Sequence, residues 1–413
     1  MPAIESTKTA TRWITRIVPL ALAAAVGFAT YVVVARVRVD YLLRSLGYDG
    51  AAIAILVLHF VFLPLMIVTY ARTLYHAIFD PGVVPLGPQA MQRRTTKGEK
   101  EKGQRYGADD VERGAYVAGP DTNPDSPGLE DFYSREVFVC EADGRPRWCS
   151  ECCNWKHDRV HHSREIGRCV YRMDHYCPWV GGMIGESGFK FFVQFTTYAA
   201  SYCAVVLGVS AYALQRQTRH GASADSYLVA AIVISAFFGL FSFLMTVTSM
   251  RYVFQNTTNV ESLGLQNDKV YQLAVRVPRG TRSDKFGVIV YPLEKEAGNP
   301  TVNGHDDRAD AVPATSRDDL ATRTFAILHT EPGDKENPWD LGYWRNWKTV
   351  MGTNPLDWLL PIRSSPCANH ESPEGFYPMG PVLNKVRTRY GLPPDQPSDE
   401  STAMELRNMR NAS

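Results

Sequence analysis

Four blocks of apolar residues limit the folds open to this 413-residue chain. They run over 17–37, 51–70, 189–214 and 227–250, each close to the length of about 20 apolar residues that a helix needs to cross a bilayer core. Lipid offers the backbone no hydrogen-bond partner, so a spanning segment of this length must be helical. The first run, IVPLALAAAVGFATYVVVARV, is longer than the apolar core of about 7–15 residues in a cleavable leader, which predicts a retained span. His59 and Pro64 interrupt the second run, and both are tolerable where helices pack on one another. Four spans put both termini on one side of the membrane. Basic residues do not choose that side, because Lys8, Arg12 and Arg16 precede the first span while Arg36, Arg38 and Arg44 follow it.

The stretch 147–192 is of another kind. It holds five of the eight cysteines (Cys149, Cys152, Cys153, Cys169, Cys177) and four of the ten histidines (His157, His161, His162, His175). No apolar period runs through it, so a greasy face cannot hold it together. Cys149 and Cys152 form a C-x2-C knuckle, and His162 and Cys169 complete a tetrahedral Cys3His set suited to zinc. Cysteines clustered with histidines at ligand spacing, rather than spread as a disulfide framework, indicate a reducing compartment. Within the same stretch, Asp174, His175 and Cys177 bring a carboxylate, an imidazole and a thiol together, the parts of an activated cysteine nucleophile. Pro178 follows, which places the group in a turn rather than inside a helix.

Elsewhere the chain is polar. Residues 85–135 are rich in Gly, Pro, Lys and Glu without apolar period and read as a solvated linker. Short Val, Ile and Tyr runs between 270 and 329 predict a small β-containing extension, and 337–361 is dense in tryptophan, as at a membrane interface. A net charge of +1 gives no reason to expect a nucleic-acid partner. The predicted organisation is an all-α polytopic membrane protein. It has an N-terminal segment 1–16, spans at 17–37 and 51–70, a linker 71–139 and a cysteine-rich domain 140–188. Spans at 189–214 and 227–250 and a C-terminal region 251–413 complete it.

The segment Asp174-His175-Tyr176-Cys177-Pro178-Trp179, within its cysteine-rich surroundings, resembles the DHHC domain of protein S-acyltransferases (palmitoyltransferases) in a fungal-like member, with DHYC as the signature. Asp80-Pro81-Gly82 resembles the DPG tripeptide that follows the family's second span. The segment 256–261 resembles its TTxE motif, with Thr258 and Asn259 at the threonine positions and Glu261 at the glutamate. The resemblance implies transfer of a long-chain acyl group from acyl-CoA through Cys177 to cysteines of membrane-associated proteins, with His175 and Asp174 activating the thiol. It also implies an active site and both termini on the cytosolic side of an endomembrane or the plasma membrane, with the sequons at Asn256 and Asn411 unmodified. Arg147, Lys156, Arg159 and His161 are then expected to meet the CoA phosphates, and Trp179 the first carbons of the chain. An amide at Asn259 is expected to supply the hydrogen bond to the catalytic aspartate that a threonine hydroxyl would give.

The family domain binds two zinc ions, and the sequence departs from it there. The first set falls on Cys149, Cys152, His162 and Cys169, whereas the second falls on Ser163, Ile166, Tyr176 and Met183, none of them a good zinc ligand. One zinc is therefore expected, with packing of Tyr176, Ile166 and Met183 in place of the other. An alternative rebuilds the second site from Cys153, His157 or His161. An alternative to transfer is a zinc-stabilised membrane adaptor that is acylated without passing the chain on.

Overall fold

The computed structural model describes residues 2–37, 49–93, 128–266, 270–292, 322–332, 336–368, 370 and 377–394. The chain forms two compact units. One comprises Met1–Gly82, Arg172–Val260 and Asp340–Asn369; the other comprises Val83–Tyr171, Glu261–Trp339 and His370–Ser413.

Four long helices make the first unit: α1 (Pro2–Tyr31), α2 (Asp49–Phe79), α3 (Glu186–Arg219) and α4 (Ser226–Gln255). The segments long and apolar enough to cross a membrane are Ile17–Val37, Ile53–Phe79, Glu186–Arg219 and Ser226–Gln255. Three of them run past the apolar windows read from sequence, because residues such as Arg72 and Arg216 are good helix formers that lengthen a helix beyond its greasy part. Half of the apolar window of α3 is buried, against about a fifth in the other three, so α3 is the central helix. Tyr198, Ala199, Tyr202 and Val206 of α3 pack with Val32, Val33 and Met66 in one core. The outward face of α4 leaves Val233, Phe237, Leu240 and Val247 more than half exposed, a surface suited to lipid and not to water. Asp225 caps α4 by accepting from the Tyr227 N–H at 2.8 Å, and Asn256 closes it in the left-handed region at φ 48°. The Asn256 side chain is buried and accepts a hydrogen bond from Arg172; Asn411 lies outside the described residues.

The tryptophan-rich segment returns to this unit as α5 (Tyr343–Met351) and α6 (Pro355–Leu359). Asn346 Nδ2 donates to the Phe254 carbonyl at the end of α4 (2.7 Å), and Gln194 Nε2 of α3 donates to the carbonyls of Asp357 and Trp358, each at 3.0 Å.

The second unit corrects the all-α expectation. It contains an antiparallel sheet of β1 (Val137–Cys140), β2 (Gln272–Val277), β3 (Gly287–Tyr291) and β4 (Arg323–His329), in the spatial order β1-β2-β4-β3. Val139 pairs with Leu273 and Ala326 with Val275, which puts alternate residues on opposite faces. Val139, Leu273, Val275 and Leu328 pack with Trp339, Leu383 and Val386 on one side; Phe138, Ala274 and Phe325 pack with Phe132 and Trp155 on the other. A sheet covered on both faces shows little polar alternation in sequence. The strand β1 lies in the stretch expected to be linker, as do residues 83–87. Those residues are tied by Val84 N–H to the Cys169 carbonyl and Gly87 N–H to the Cys152 carbonyl, both at 2.9 Å. A Cβ on Gly87 would fall 1.6 Å from the Cys153 carbonyl oxygen, so only glycine fits there.

Arg159, expected on a basic rim, is instead 1% exposed. Its Nε and Nη2 donate to Glu261 at 2.8 and 2.7 Å, and its guanidinium stacks over Trp339. A paired cation with no access to solvent cannot serve as a surface phosphate ligand. Truncating one partner leaves the other charge buried and unpaired. Arg159→Met should therefore destabilise this unit by about 3–5 kcal/mol, with the double variant Arg159→Met/Glu261→Met recovering much of the loss. Thermal unfolding of the purified variants measures both; equal stability of the single and double variants would remove the ion pair from the account.

Candidate active site and metal centre

The hairpin that presents Cys177 pairs His175–Cys177 with Gly182–Ile184, and Cys177 lies opposite Gly182. Gly182 is required by close packing, since a Cβ there would sit 2.3 Å from the Ala77 carbonyl oxygen of α2. The tight turn brings the three expected residues together. Asp174 is buried and accepts from His175 Nδ1 at 2.6 Å. Its other oxygen accepts from the backbone N–H of Asn259 at 2.8 Å. The Asn259 side chain turns to the Tyr252 hydroxyl (3.1 Å), so the expected side-chain contact is made by the main chain instead. That explains how asparagine can stand at a threonine position. Arg172, which the sequence reading did not single out, fixes the turn by donating to Asn256 Oδ1 (2.9 Å) and the Cys367 sulfur (3.2 Å).

Burial works against a charged His175, but hydrogen bonds to Asp174 and Cys177, together with their negative charges, overcome it and raise its pKa to about 10. The imidazole is thus held as imidazolium at neutral pH, with the Cys177 sulfur as its second hydrogen-bond partner.

Cys177 opens on a cavity of about 740 Å³ between the four long helices. Its wall is almost wholly apolar, with Leu63, Met66, Val206, Phe238 and Phe241 among the lining residues. Trp179 lines the mouth beside Cys177, its ring 5.3 Å from that of Phe241 and its carbonyl accepting from the Tyr70 hydroxyl at 3.1 Å.

In the second unit Cys149, Cys152, His162 and Cys169 converge, with ligand atoms within 4.8 Å of one another. Two hairpins deliver them. Cys149 and Cys152 lie at the turn joining Arg147–Cys149 to Asn154–Lys156, and His162 faces Cys169 across His161–Ser163 and Arg168–Val170. His162 Nδ1 stands 3.5, 3.4 and 3.8 Å from the three sulfurs. Zinc bonds of about 2.3 Å to sulfur and about 2.0–2.1 Å to nitrogen in a tetrahedron put neighbouring ligand atoms about 3.5–3.8 Å apart, so the set fits that ion. Two of the three residues of the possible rebuilt site are engaged elsewhere. Cys153 donates to the Ser150 carbonyl, and His157 stacks on Phe132 and contacts Arg135. Burial, then the charges of Arg135 and His370, lower the His157 pKa to about 4. Of the expected rim, Arg147, Lys156 and His161 are half-buried, and Arg147 lies directly opposite Lys156.

A thiol hydrogen-bonded to an imidazole, lining an apolar cavity among bilayer-length helices, suits a class: membrane enzymes that handle fatty chains as thioesters. A sequence model of the family described as "DHHC palmitoyltransferase" matches residues 142–266. Palmitoyltransferase pfa5 of Aspergillus fumigatus is 38% identical over 412 residues, covering 92% of this chain and 90% of the relative. Palmitoyltransferase pfa5 of Emericella nidulans is 36% identical, covering 92% and 86%. Palmitoyltransferase PFA5 of Saccharomyces cerevisiae is 33% identical over a shorter stretch, 31% of this chain and 35% of the relative. The chain belongs to the DHHC palmitoyltransferase family and is a membrane protein S-palmitoyltransferase.

Proposed function

We propose that Cys177 carries the acyl group between a soluble acyl-CoA and a protein cysteine, with His175 and Asp174 managing the proton. The observation that supports this most directly is the chain of contacts from Asp174 through His175 to Cys177 at the mouth of the apolar cavity. In the first half-reaction the Cys177 thiolate attacks the thioester carbonyl carbon. The bond from that carbon to the CoA sulfur breaks, and the CoA thiolate takes its proton from the His175 imidazolium. In the second, a substrate cysteine gives its proton to His175 and attacks the acyl carbon, and Cys177 leaves as thiolate. One thioester replaces another in each half, so catalysis rests on positioning and proton handling. Each buried methylene favours transfer from water by about 0.8 kcal/mol, which places the chain in the cavity.

Arg147 and Lys156 put like charges directly across a hairpin, an arrangement that is unfavourable until an anion lies between them. That supports their meeting the CoA phosphates. All eight cysteines are free, in keeping with a cytosolic, reducing side for the active site. Zinc, when bound by Cys149, Cys152, His162 and Cys169, supplies a structural crosslink and no chemistry, since all four positions are filled by protein.

The test uses the purified full chain with an acyl-labelled acyl-CoA and a cysteine peptide. Label should appear first on Cys177 as a hydroxylamine-labile thioester and then on the peptide. Label that reaches the peptide without passing through the enzyme, or stays on Cys177, would end this reading.

A further inference from the structure

Lys190 lies in the first turns of α3 and is fully buried, yet its Nζ has no hydrogen-bond partner. A buried ammonium without an acceptor is unfavourable, and such groups are normally paired. The charged groups with the largest electrostatic effect on it are Asp357, Arg363, Arg72 and Cys367. None of them satisfies it. Asp357 is the one carboxylate of the set, and its Oδ2 is already 3.9 Å from Arg363 Nη1. Arg72 lies over the Phe191 ring at 4.6 Å, with its own Nε buried and unpartnered. Cys367 accepts from Arg172. Lys190 Nζ and Arg72 Nε are thus both buried donors that meet no acceptor.

A glycine packs against these groups. Gly352, at φ 93°, terminates α5, and a Cβ there would stand 3.6 Å from the Asp357 carboxylate and 4.0 Å from Lys190 Nζ. Its carbonyl accepts from the Trp358 indole N–H at 2.8 Å. Close by in the chain, Trp344, Leu356, Leu359 and Ile362 are each more than half exposed. Arg363 follows at once and is 73% exposed. The charged group therefore adjoins apolar side chains that no protein covers.

We propose that Lys190, Arg72 and Arg363 form a site for the phosphomonoester headgroup of a membrane lipid, with Leu356, Leu359 and Ile362 against its acyl chains. A phosphate monoester carries nearly two negative charges at neutral pH and several strong acceptor oxygens, which matches the excess of cations and the unmet donors. Basic pockets beside membrane helices suit such headgroups, whereas a zwitterionic choline diester brings a positive charge of its own. The exposed apolar residues favour a lipid over a soluble phosphate, since a free anion would leave them uncovered.

Binding of dioctanoyl phosphatidylinositol 4-phosphate to the full chain in detergent tests the site, with dioctanoyl phosphatidylcholine as control and CoA as competitor. The monoester lipid should bind at least about tenfold more tightly than the choline lipid, the order of effect of one charge-assisted hydrogen bond. Lys190→Met should cost about tenfold or more. Arg363→Gln, at an exposed position where folding is not at risk, should cost several-fold. CoA should not displace the lipid. Equal binding of the two lipids, or unchanged affinity in both variants, would overturn the proposal. One-for-one displacement by CoA would do the same by assigning the site to the acyl donor.

Discussion

Cys177→Ser protein incubated with labelled acyl-CoA should carry no hydroxylamine-labile label, while keeping its zinc content and its elution as a folded membrane protein. A serine hydroxyl occupies nearly the same volume but is not ionised by the neighbouring imidazole, so the change removes chemistry and leaves packing in place. His175→Ala should retain the thiol and slow loading by about 10²–10⁴-fold, the usual contribution of a positioned acid-base group. Asp174→Asn is the more discriminating variant. The amide can still accept from the Asn259 N–H, but it carries no charge to hold the imidazolium. Because His175 is raised to about 10, above its ordinary 6.5, its protonated form contributes fully below about pH 6.5 and is lost as pH climbs toward 10. The wild-type loading rate should therefore hold through the neutral range and fall on the alkaline side. In Asp174→Asn that alkaline limb should move down toward neutrality. A profile that stays where it was would mean that the Asp174 carboxylate does not set the protonation of His175.

These residues could be named from sequence because their chemistry is local. Asp174, His175 and Cys177 span four positions, and the C-x2-C knuckle with His162 and Cys169 falls within a pair of adjoining hairpins. The spans were legible for another reason: a bilayer imposes helix and length on any long apolar run. What stayed hidden was decided at a distance or by the main chain. Arg159 and Glu261 are 102 residues apart, and nothing local to either shows that they pair. The strand Val137–Cys140 is too short to show a period, and it belongs to a sheet only because residues 272–277 pair with it. The role of Asn259 lies in its backbone N–H, which every residue but proline carries, so its side chain could not reveal it. The unmet donor of Lys190 is visible only once its neighbours are in place.

Metal analysis of the purified chain should give about one zinc per chain, falling to near zero in Cys149→Ser, with the second unit becoming sensitive to protease in the same variant. The reasoning starts from what else could hold these hairpins. Their strands are three residues each, and the apolar cluster beside the ligands is small: Val84, Val160, Leu86 and Tyr171 besides the cysteines themselves. A structural zinc contributes about 10–16 kcal/mol of apparent binding energy, more than such a cluster can replace. One ligand lost from a closed tetrahedral set also leaves the remaining buried thiols without the cation that favours their ionised form. At the positions where the family carries its other zinc set, Ser163 donates to Glu165 at 2.7 Å and Tyr176 faces Met183 across a hairpin. An alcohol, an alkyl group, a phenol and a thioether do not make a zinc site at neutral pH. A measured content near two per chain would show that a second ion is held by other residues, and Cys153→Ser and His157→Ala would then identify them by the zinc they lose. Content near one, with Cys153→Ser and His157→Ala unchanged, would leave packing as what replaces the second ion.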